Sequence, residues 1–199
     1  MVRKAFVTAV AFVFLASNVR AQSTLTPAFL APYRSFNRLE FGGTLSDPGK
    51  GFALEGFYRF GHERYDLGFR AGIADPGPGN SRFLAGVDFR TRVLDHSKDF
   101  PLDGAFTAGL GGSFGNGASQ GYIPIGLSLG RRIQLEDSNV EFVPYFHPVL
   151  TPTFGDGQSD LLFGLGLGVD VSFNKRFDIR VSAGIGDYSG IAISFAVLR

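Results

Sequence analysis

Residues 161–173 alternate between large apolar side chains and small or polar ones. Large apolar residues occupy every second position from Phe163 to Phe173, with glycines, Asp170 and Ser172 between them. A period of two is typical of a β-strand with two different faces. Because glycine and aspartate cannot build a dry core, the pattern predicts that the apolar face points to lipid. The small or polar face then lines a narrow interior.

The same alternation recurs along the chain in segments separated by short connections rich in glycine, proline and asparagine. Short connections make neighbouring strands antiparallel, and closing the sheet removes the unpaired edges that lipid would not tolerate. The predicted fold is all-β, a closed up-and-down antiparallel transmembrane β-barrel of about ten strands, with eight as the alternative. The predicted strands are 38–46, 52–60, 64–73, 82–94, 102–114, 121–133, 140–150, 161–173, 176–186 and 190–198.

The amino-terminal residues predict export. Arg3 and Lys4 precede a short apolar run, and Val19-Arg20-Ala21 offers a small-residue cleavage site, which is the order of features in a secretory signal peptide. We divide the chain into a cleaved signal peptide (1–21), an N-terminal leader (22–37) and an outer-membrane barrel domain (38–199). The leader is either a disordered lead-in or a short plug. If it starts in the periplasm, the connections at 62–63, 94–101, 134–139 and 174–175 are periplasmic and the others are external.

Composition narrows the function classes. The chain has no cysteine, which excludes disulfides, thiolate metal sites and a cysteine nucleophile. Its net charge of +1 gives no electrostatic case for nucleic acid. The three histidines lack metal-ligand spacing, and the glycines of 161–173 lie inside a strand with no following helix, unlike a phosphate loop. We expect neither a metal nor a cofactor.

Charged residues fall on the face opposite the apolar one, where acids and arginines are nearly balanced. A barrel of eight to ten strands has an interior barely wider than its own side chains. Since burying one ion without its partner is expensive, we predict a paired polar filling rather than a wide diffusion pore, with a narrow ion path as the functional alternative. The predicted lumen network is Glu40, Glu55, Arg59, Asp66, Arg70, Asp88, Arg90, Arg92, Arg132, Glu141, His147, Asp170, Asp178 and Arg180.

Aromatic residues gather at the ends of the predicted strands, as they do in the interfacial girdles of membrane barrels. The alternative is that they form the ordinary core of a soluble β-barrel. The predicted girdle is Tyr58, Phe60, Tyr65, Phe83, Phe114, Tyr122, Phe173, Phe177 and Tyr188.

The signal, the glycine-rich alternating strands and the closing segments 177–186 and 190–198 resemble the small bacterial outer-membrane β-barrel families of the OmpA-transmembrane, OmpX and OmpW kind. The resemblance covers residues 38–199. It implies a Gram-negative cell outer membrane, surrounding lipid and insertion by barrel-assembly machinery, which recognises a carboxyl-terminal aromatic; Phe195 is the candidate here. We expect a monomer without a nucleic-acid partner.

Enzymes built on this scaffold supply alternatives. Outer-membrane lipid hydrolases resemble this chain in architecture and use His–Ser catalysis, for which His147 with Ser172 or Ser128 is the candidate set. Omptin-type proteases use Asp and His near the external rim, where Asp156, Asp160 and His147 are candidates. A serine nucleophile needs its base within hydrogen-bond reach, and the sequence around His147 favours a satisfied lumen histidine.

The predicted function is therefore non-enzymatic: an envelope structural role, with narrow, porin-like passage of small solutes or ions as a further possibility. The alternatives are an outer-membrane lipid-modifying enzyme and a soluble periplasmic ligand-binding barrel. In the soluble case the phenylalanines must point inward and the glycine and aspartate face must meet water.

Overall fold

The structure, a computed structural model, describes residues 24–32, 38–48, 51–77, 79–115, 118–136, 138–156, 159–173 and 176–199. The predicted signal peptide lies outside these residues. The described residues form twelve strands: β1 Leu39–Asp47, β2 Phe52–His62, β3 Tyr65–Asp75, β4 Arg82–Leu94, β5 Asp103–Gly115, β6 Ala118–Tyr122, β7 Ile125–Gly130, β8 Ile133–Gln134, β9 Val140–Gly155, β10 Leu161–Phe173, β11 Phe177–Gly186 and β12 Gly190–Leu198.

Three of these strands, β6, β7 and β8, form one strand of the barrel wall. They keep a single register against β9, from Gln120 opposite Gly155 to Gln134 opposite Glu141. The first interruption falls at Ile123 and Pro124, because a proline has no N–H to donate to the ladder. The sequence pattern predicted one continuous strand over 121–133; the structure divides it, and the wall has ten strands.

The sheet closes on itself. Strand β1 pairs with both β2 and β12, and β9 pairs with both β10 and the β6–β8 strand, always antiparallel. Leu39 and Arg199 exchange two backbone hydrogen bonds of 2.9 and 2.8 Å where the chain ends meet. The predicted closed up-and-down β-barrel is confirmed. No helix long and apolar enough to cross a membrane is found among the described residues.

We name the two ends of the barrel by the chain. The chain-terminal end is where β1 begins and β12 ends, and the opposite end is where β1 joins β2 and β11 joins β12. An even number of wall strands places both termini of the barrel domain at one end.

Large apolar side chains cover the outside of the barrel, and every one of the ten wall strands contributes to this surface. On β10, Phe163 is 54% exposed, whereas Gly164 and Asp170 face inward and are buried. The alternation that the sequence shows therefore becomes an apolar exterior around a polar interior, because successive side chains of a strand point to opposite faces.

Strand β9 is longer than the predicted 140–150 and carries a proline at every fourth position. Pro144 and Pro152 accept hydrogen bonds from the N–H groups of Arg131 (3.2 Å) and Ile123 (3.1 Å), but cannot donate in return. Pro148 has the same orientation. The seam between β9 and the β6–β8 strand thus lacks part of its ladder, while the β9–β10 side is paired continuously.

Two of the predicted girdle aromatics lie inside the barrel instead of on its surface. Tyr122 is 1% exposed, because its neighbour Ile123 takes the outward position and alternation turns Tyr122 inward. Tyr188 is 0% exposed, because it belongs to the turn after β11 and folds over the end of the lumen. The remaining girdle positions are fully or partly exposed: Tyr58, Phe60, Tyr65, Phe83, Phe114, Phe173 and Phe177.

Candidate functional site

The lumen of the barrel is occupied by residues 24–32, which we call the plug. All nine plug residues are buried. The plug starts at Thr24, beside Glu55 in the half nearer the opposite end, and reaches Ala31, beside Arg90 in the half nearer the chain-terminal end. Of the two forms expected for the leader, the described part is a plug.

Side chains of the barrel wall donate hydrogen bonds to four plug carbonyls. The donors come from β11, β9, β7 and β4, so the plug is bound from several sides of the lumen. An unpaired buried carbonyl is costly, and these donors satisfy groups that have no sheet partner. The pairs are Ser182 to Pro27 (2.6 Å), Tyr145 to Phe29 (3.0 Å), Ser128 to Leu30 (2.6 Å) and Arg90 to Ala31.

The aromatic side chain of Phe29 anchors the plug. Its ring lies against Gly166, where an added Cβ would overlap the ring. It meets His147 and Tyr188 edge-on, with centroid distances of 5.8 and 6.4 Å. Burial raises the pKa of the Tyr188 phenol to about 12, so this hydroxyl stays neutral at physiological pH.

The alternating glycines of β10 are explained by the rings that they face. Gly164 faces Tyr188, Gly166 faces Phe29, and Gly168 faces Tyr145; at each glycine an added Cβ would collide with the ring. Only glycine leaves room for three aromatic rings along one inner face in so narrow a barrel.

One side of the lumen is apolar, which the predicted polar filling did not include. Leu25 and Phe29 of the plug pack in a buried cluster with Val143, Tyr145 and Val149 of β9. These three β9 residues occupy odd-numbered positions, as His147 does, so strand alternation puts them on the same inner face. The alternation with Phe142 and Phe146, on the other face, would therefore have predicted their inward position from the sequence.

The two threonines of the plug bind a buried acid. Thr24 and Thr26 donate hydrogen bonds of 2.6 Å each to the two carboxylate oxygens of Glu55. Arg70 lies 3.6 Å from the same carboxylate and 3.4 Å from the Thr26 hydroxyl. Glu55 therefore receives its partners from both the plug and the neighbouring strand.

A four-residue ion-pair group spans β2, β3 and β4. Asp66 accepts hydrogen bonds from both Arg59 and Arg90, including one of 2.9 Å from Arg90 Nε. Arg59 also donates to Asp88 at 2.8 Å. Since Arg90 reaches on to the Ala31 carbonyl, this group connects the wall charges directly to the plug.

A second group is centred on Arg180 of β11. Arg180 donates to Glu40 at 2.7 Å and to Asp178 at 2.8 Å, and its Nε lies 3.5 Å from Asp170. Its guanidinium also lies over the ring of Phe57, 5.6 Å from the centroid. The β10–β11 register places Arg180 directly opposite Asp170.

Three members of the predicted network lie apart from both ion-pair groups and from the plug. Arg92 is half-exposed and pairs with Asp95, with Asp103 3.6 Å away. Arg132 pairs with Glu141 at 3.4 Å. All three lie near the chain-terminal end of their strands, where the wall extends beyond the filled part of the lumen.

His147 is buried but does not contact the serines considered as nucleophiles. Its Nε2 lies 2.7 Å from the Thr107 hydroxyl. Ser128 donates to the Leu30 carbonyl and Ser172 to Asp178, so both are engaged elsewhere. Asp156 lies just beyond the end of β9, nine residues after His147 and about 30 Å away at strand spacing. Asp160 bonds to Thr153, which is six residues after His147, about 20 Å at the same spacing. The structure thus brings together none of the proposed catalytic sets involving His147.

Two small cavities lie beside the plug. A cavity of about 20 Å³ lies between Phe29, Glu40 and Arg180, and one of about 10 Å³ lies beside Leu30, Thr107 and His147. Each holds no more than about one water molecule. Among the described residues, no group of three His, Cys, Asp or Glu side chains is arranged to hold a metal ion.

Comparison with known proteins adds a likeness of fold only. No family model and no curated protein sequence matches the chain. A solved structure described as a bacterial polysaccharide outer membrane secretin is similar, with a TM-score of 0.48 and 13% sequence identity. The match covers 83% of this chain and 66% of that one, so this chain spans slightly less than two thirds of its length.

Proposed function

We propose that this protein is an integral outer-membrane β-barrel with a non-enzymatic, structural role in the cell envelope. The observation that carries the proposal is the apolar surface that covers all ten wall strands around a charged interior. A soluble monomer rarely exposes contiguous apolar patches larger than a few hundred Å². In lipid the same surface needs no cover, and the closed sheet leaves no backbone edge unsatisfied.

The soluble ligand-binding barrel requires the reverse arrangement. Its phenylalanines would have to fill the interior, yet Phe41, Phe69 and Phe195 point outward, and the interior holds the ion pairs and the plug. The two cavities described beside the plug are too small for an apolar ligand.

We further propose that the protein is a monomer, that barrel-assembly machinery inserts it, and that its chain-terminal end faces the periplasm. The resemblance to the OmpA-transmembrane, OmpX and OmpW kind of barrel supports these points. The lumen also supports them, because it is filled by the plug of the same chain. A closed lumen supports a structural role.

Replacing Ile193 with arginine is expected to lower the free energy of unfolding by about 2–4 kcal/mol in lipid bilayers. Ile193 is 55% exposed, lies in the middle of β12 between Leu45 and Val181, and would face the hydrocarbon. Denaturant titration in vesicles, followed by heat-modifiable gel migration, measures the change.

Leu161→Arg is the matched control, because Leu161 is also exposed but begins β10 at one end. Near the interface the cost should be about 0–1 kcal/mol. Equal and negligible costs at both positions would contradict a membrane-spanning barrel, as would recovery of the wild-type chain in the soluble periplasmic fraction.

Lipid hydrolysis is expected to be absent from the purified barrel and unchanged by His147→Ala. His147 and Thr107 are buried, and the cavity beside them and Leu30 measures only about 10 Å³, so an ester carbonyl has no room there. Phospholipid and lipid A hydrolysis assays measure this, with His62→Ala as a surface histidine control. Hydrolysis that the wild type performs and that disappears only in His147→Ala would establish the enzyme alternative.

A further inference from the structure

We propose that the lumen is a cation-conducting path that the plug closes, and that it opens when residues 24–32 leave the barrel. This inference rests on the membrane location proposed above and names the ions and the gate. Three features of the lumen carry it: the way the plug is bound, the length of the space it fills, and the charge of the surrounding wall.

The plug is an occupant of the barrel and not part of its wall. The sheet closes through β1 and β12 without any strand pairing to residues 24–32. The bonds that hold the plug join wall side chains to its backbone or to its two threonine hydroxyls. Each of these bonds can break without disturbing the strand ladder.

The space filled by the plug extends along much of the barrel. The two ends of the plug bind Glu55 and Arg90, which stand opposite Gly72 and Asp66 of β3, six residues apart. At strand spacing this is about 20 Å, against about 30 Å for the hydrocarbon core. The two cavities described beside the plug are of water size. Its departure would leave a passage about as wide as one peptide chain. The covalent link to β1 directs that departure toward the chain-terminal end.

The wall around this passage carries an excess of negative charge. Seven buried carboxylates and four buried guanidiniums face the described lumen, and the plug itself contributes no charged side chain. Rings of acidic side chains favour cations in narrow pores. The carboxylates are Glu40, Glu55, Asp66, Asp88, Asp103, Asp170 and Asp178, and the guanidiniums are Arg59, Arg70, Arg90 and Arg180.

Planar bilayer recording of full-length Phe29→Ala tests the inference. The substitution removes the ring that fills the Gly166 slot, so the open fraction should rise on the order of a hundredfold above a nearly silent wild type. In a KCl gradient the reversal potential should shift toward that of potassium. Phe163→Ala is the matched control, because Phe163 lies on the outer face and does not touch the plug.

A disulfide provides a reversible version of the same test. The chain has no cysteine of its own. A Cβ at Gly166 would overlap the Phe29 ring, which places the two β-carbons within reach of a disulfide in the variant Phe29→Cys/Gly166→Cys. Openings should occur in the reduced variant, disappear on oxidation and return on reduction.

Thr24→Val/Thr26→Val keeps the inference testable if Phe29→Ala does not fold, because it loosens the plug at Glu55 and leaves the Gly166 slot intact. Heat-modifiable, membrane-inserted variants that remain silent would overturn the inference. Anion-selective openings, or openings that persist after oxidation of the cysteine pair, would also overturn it. A wild-type chain that fails to enter vesicles would instead contradict the membrane location, and this inference with it.

Discussion

Replacing Asp66 with alanine is expected to lower the free energy of unfolding of the barrel by about 3–5 kcal/mol, the usual cost of leaving a buried ion without its partner. Asp66 is 1% exposed and accepts hydrogen bonds from two arginines. Without it Arg59 keeps Asp88, whereas Arg90 keeps only the Ala31 carbonyl among the partners described above. The remaining guanidinium charge lies in the narrow interior, where water cannot replace the lost carboxylate.

Denaturant titration in detergent or vesicles measures this loss. Asp66→Asn separates charge from shape, because it keeps a hydrogen-bond acceptor and nearly the same volume but lacks the negative charge. Asp99→Ala, in the exposed connection between β4 and β5, is the control and should change stability by no more than about 0.5 kcal/mol. If Asp66→Ala costs no more than Asp99→Ala, the buried ion-pair group does not stabilise the barrel.

Replacing Gly166 with valine is expected to expel the plug from a barrel that still closes. The new Cβ would occupy the position of the Phe29 ring, so the ring must leave its slot, at a cost of about 3–5 kcal/mol for losing a buried phenylalanine contact. Valine itself suits a strand. The carbonyl bonds that depend on the position of Phe29 should then weaken together.

Limited chymotrypsin digestion in detergent, read by mass spectrometry, measures the expulsion. Cleavage after Phe29 or Leu30 should be slow in the wild type, where both residues are buried, and fast in Gly166→Val. Gly43→Val is the matched control, because Gly43 faces outward and an added Cβ there meets nothing closer than 3.7 Å. Equal protection of the plug in both variants would show that the slot does not hold it.

The strands were predictable because their signal is local. Alternation places 82–94, 161–173 and 190–198 at the bounds that the structure shows, and most other strand ends shift by one or two residues. The larger differences are at β9 and the β6–β8 strand, where prolines stand inside a wall strand. In a sequence, a proline argues against a strand at that position. In this barrel the neighbouring strand bonds only to the carbonyl of the proline, so the wall strand tolerates it.

The sequence predicted which side chains face the lumen, but not which of them pair with each other. Alternation along each strand puts the acids and arginines on one face, whereas the register between neighbouring strands decides which of them meet. Asp170 illustrates this, because six arginines belong to the predicted network and the pairing of β10 with β11 selects Arg180. Tyr188 lies in a turn, where alternation no longer applies, so its inward position was not readable from the pattern.

The sequence by itself determined an alternating chain of about ten strands with an apolar and a polar face, because strand geometry imposes a two-residue period that the order of residues reveals. Only the tertiary structure decided that residues 24–32 fill the barrel. The plug has no period, and its partners lie far along the chain, as Phe29 and Ser182 do at a separation of 153 residues. The glycines of 161–173 illustrate both points. Their spacing predicts a strand from the sequence, whereas the aromatic rings that they face are known only from the closed barrel.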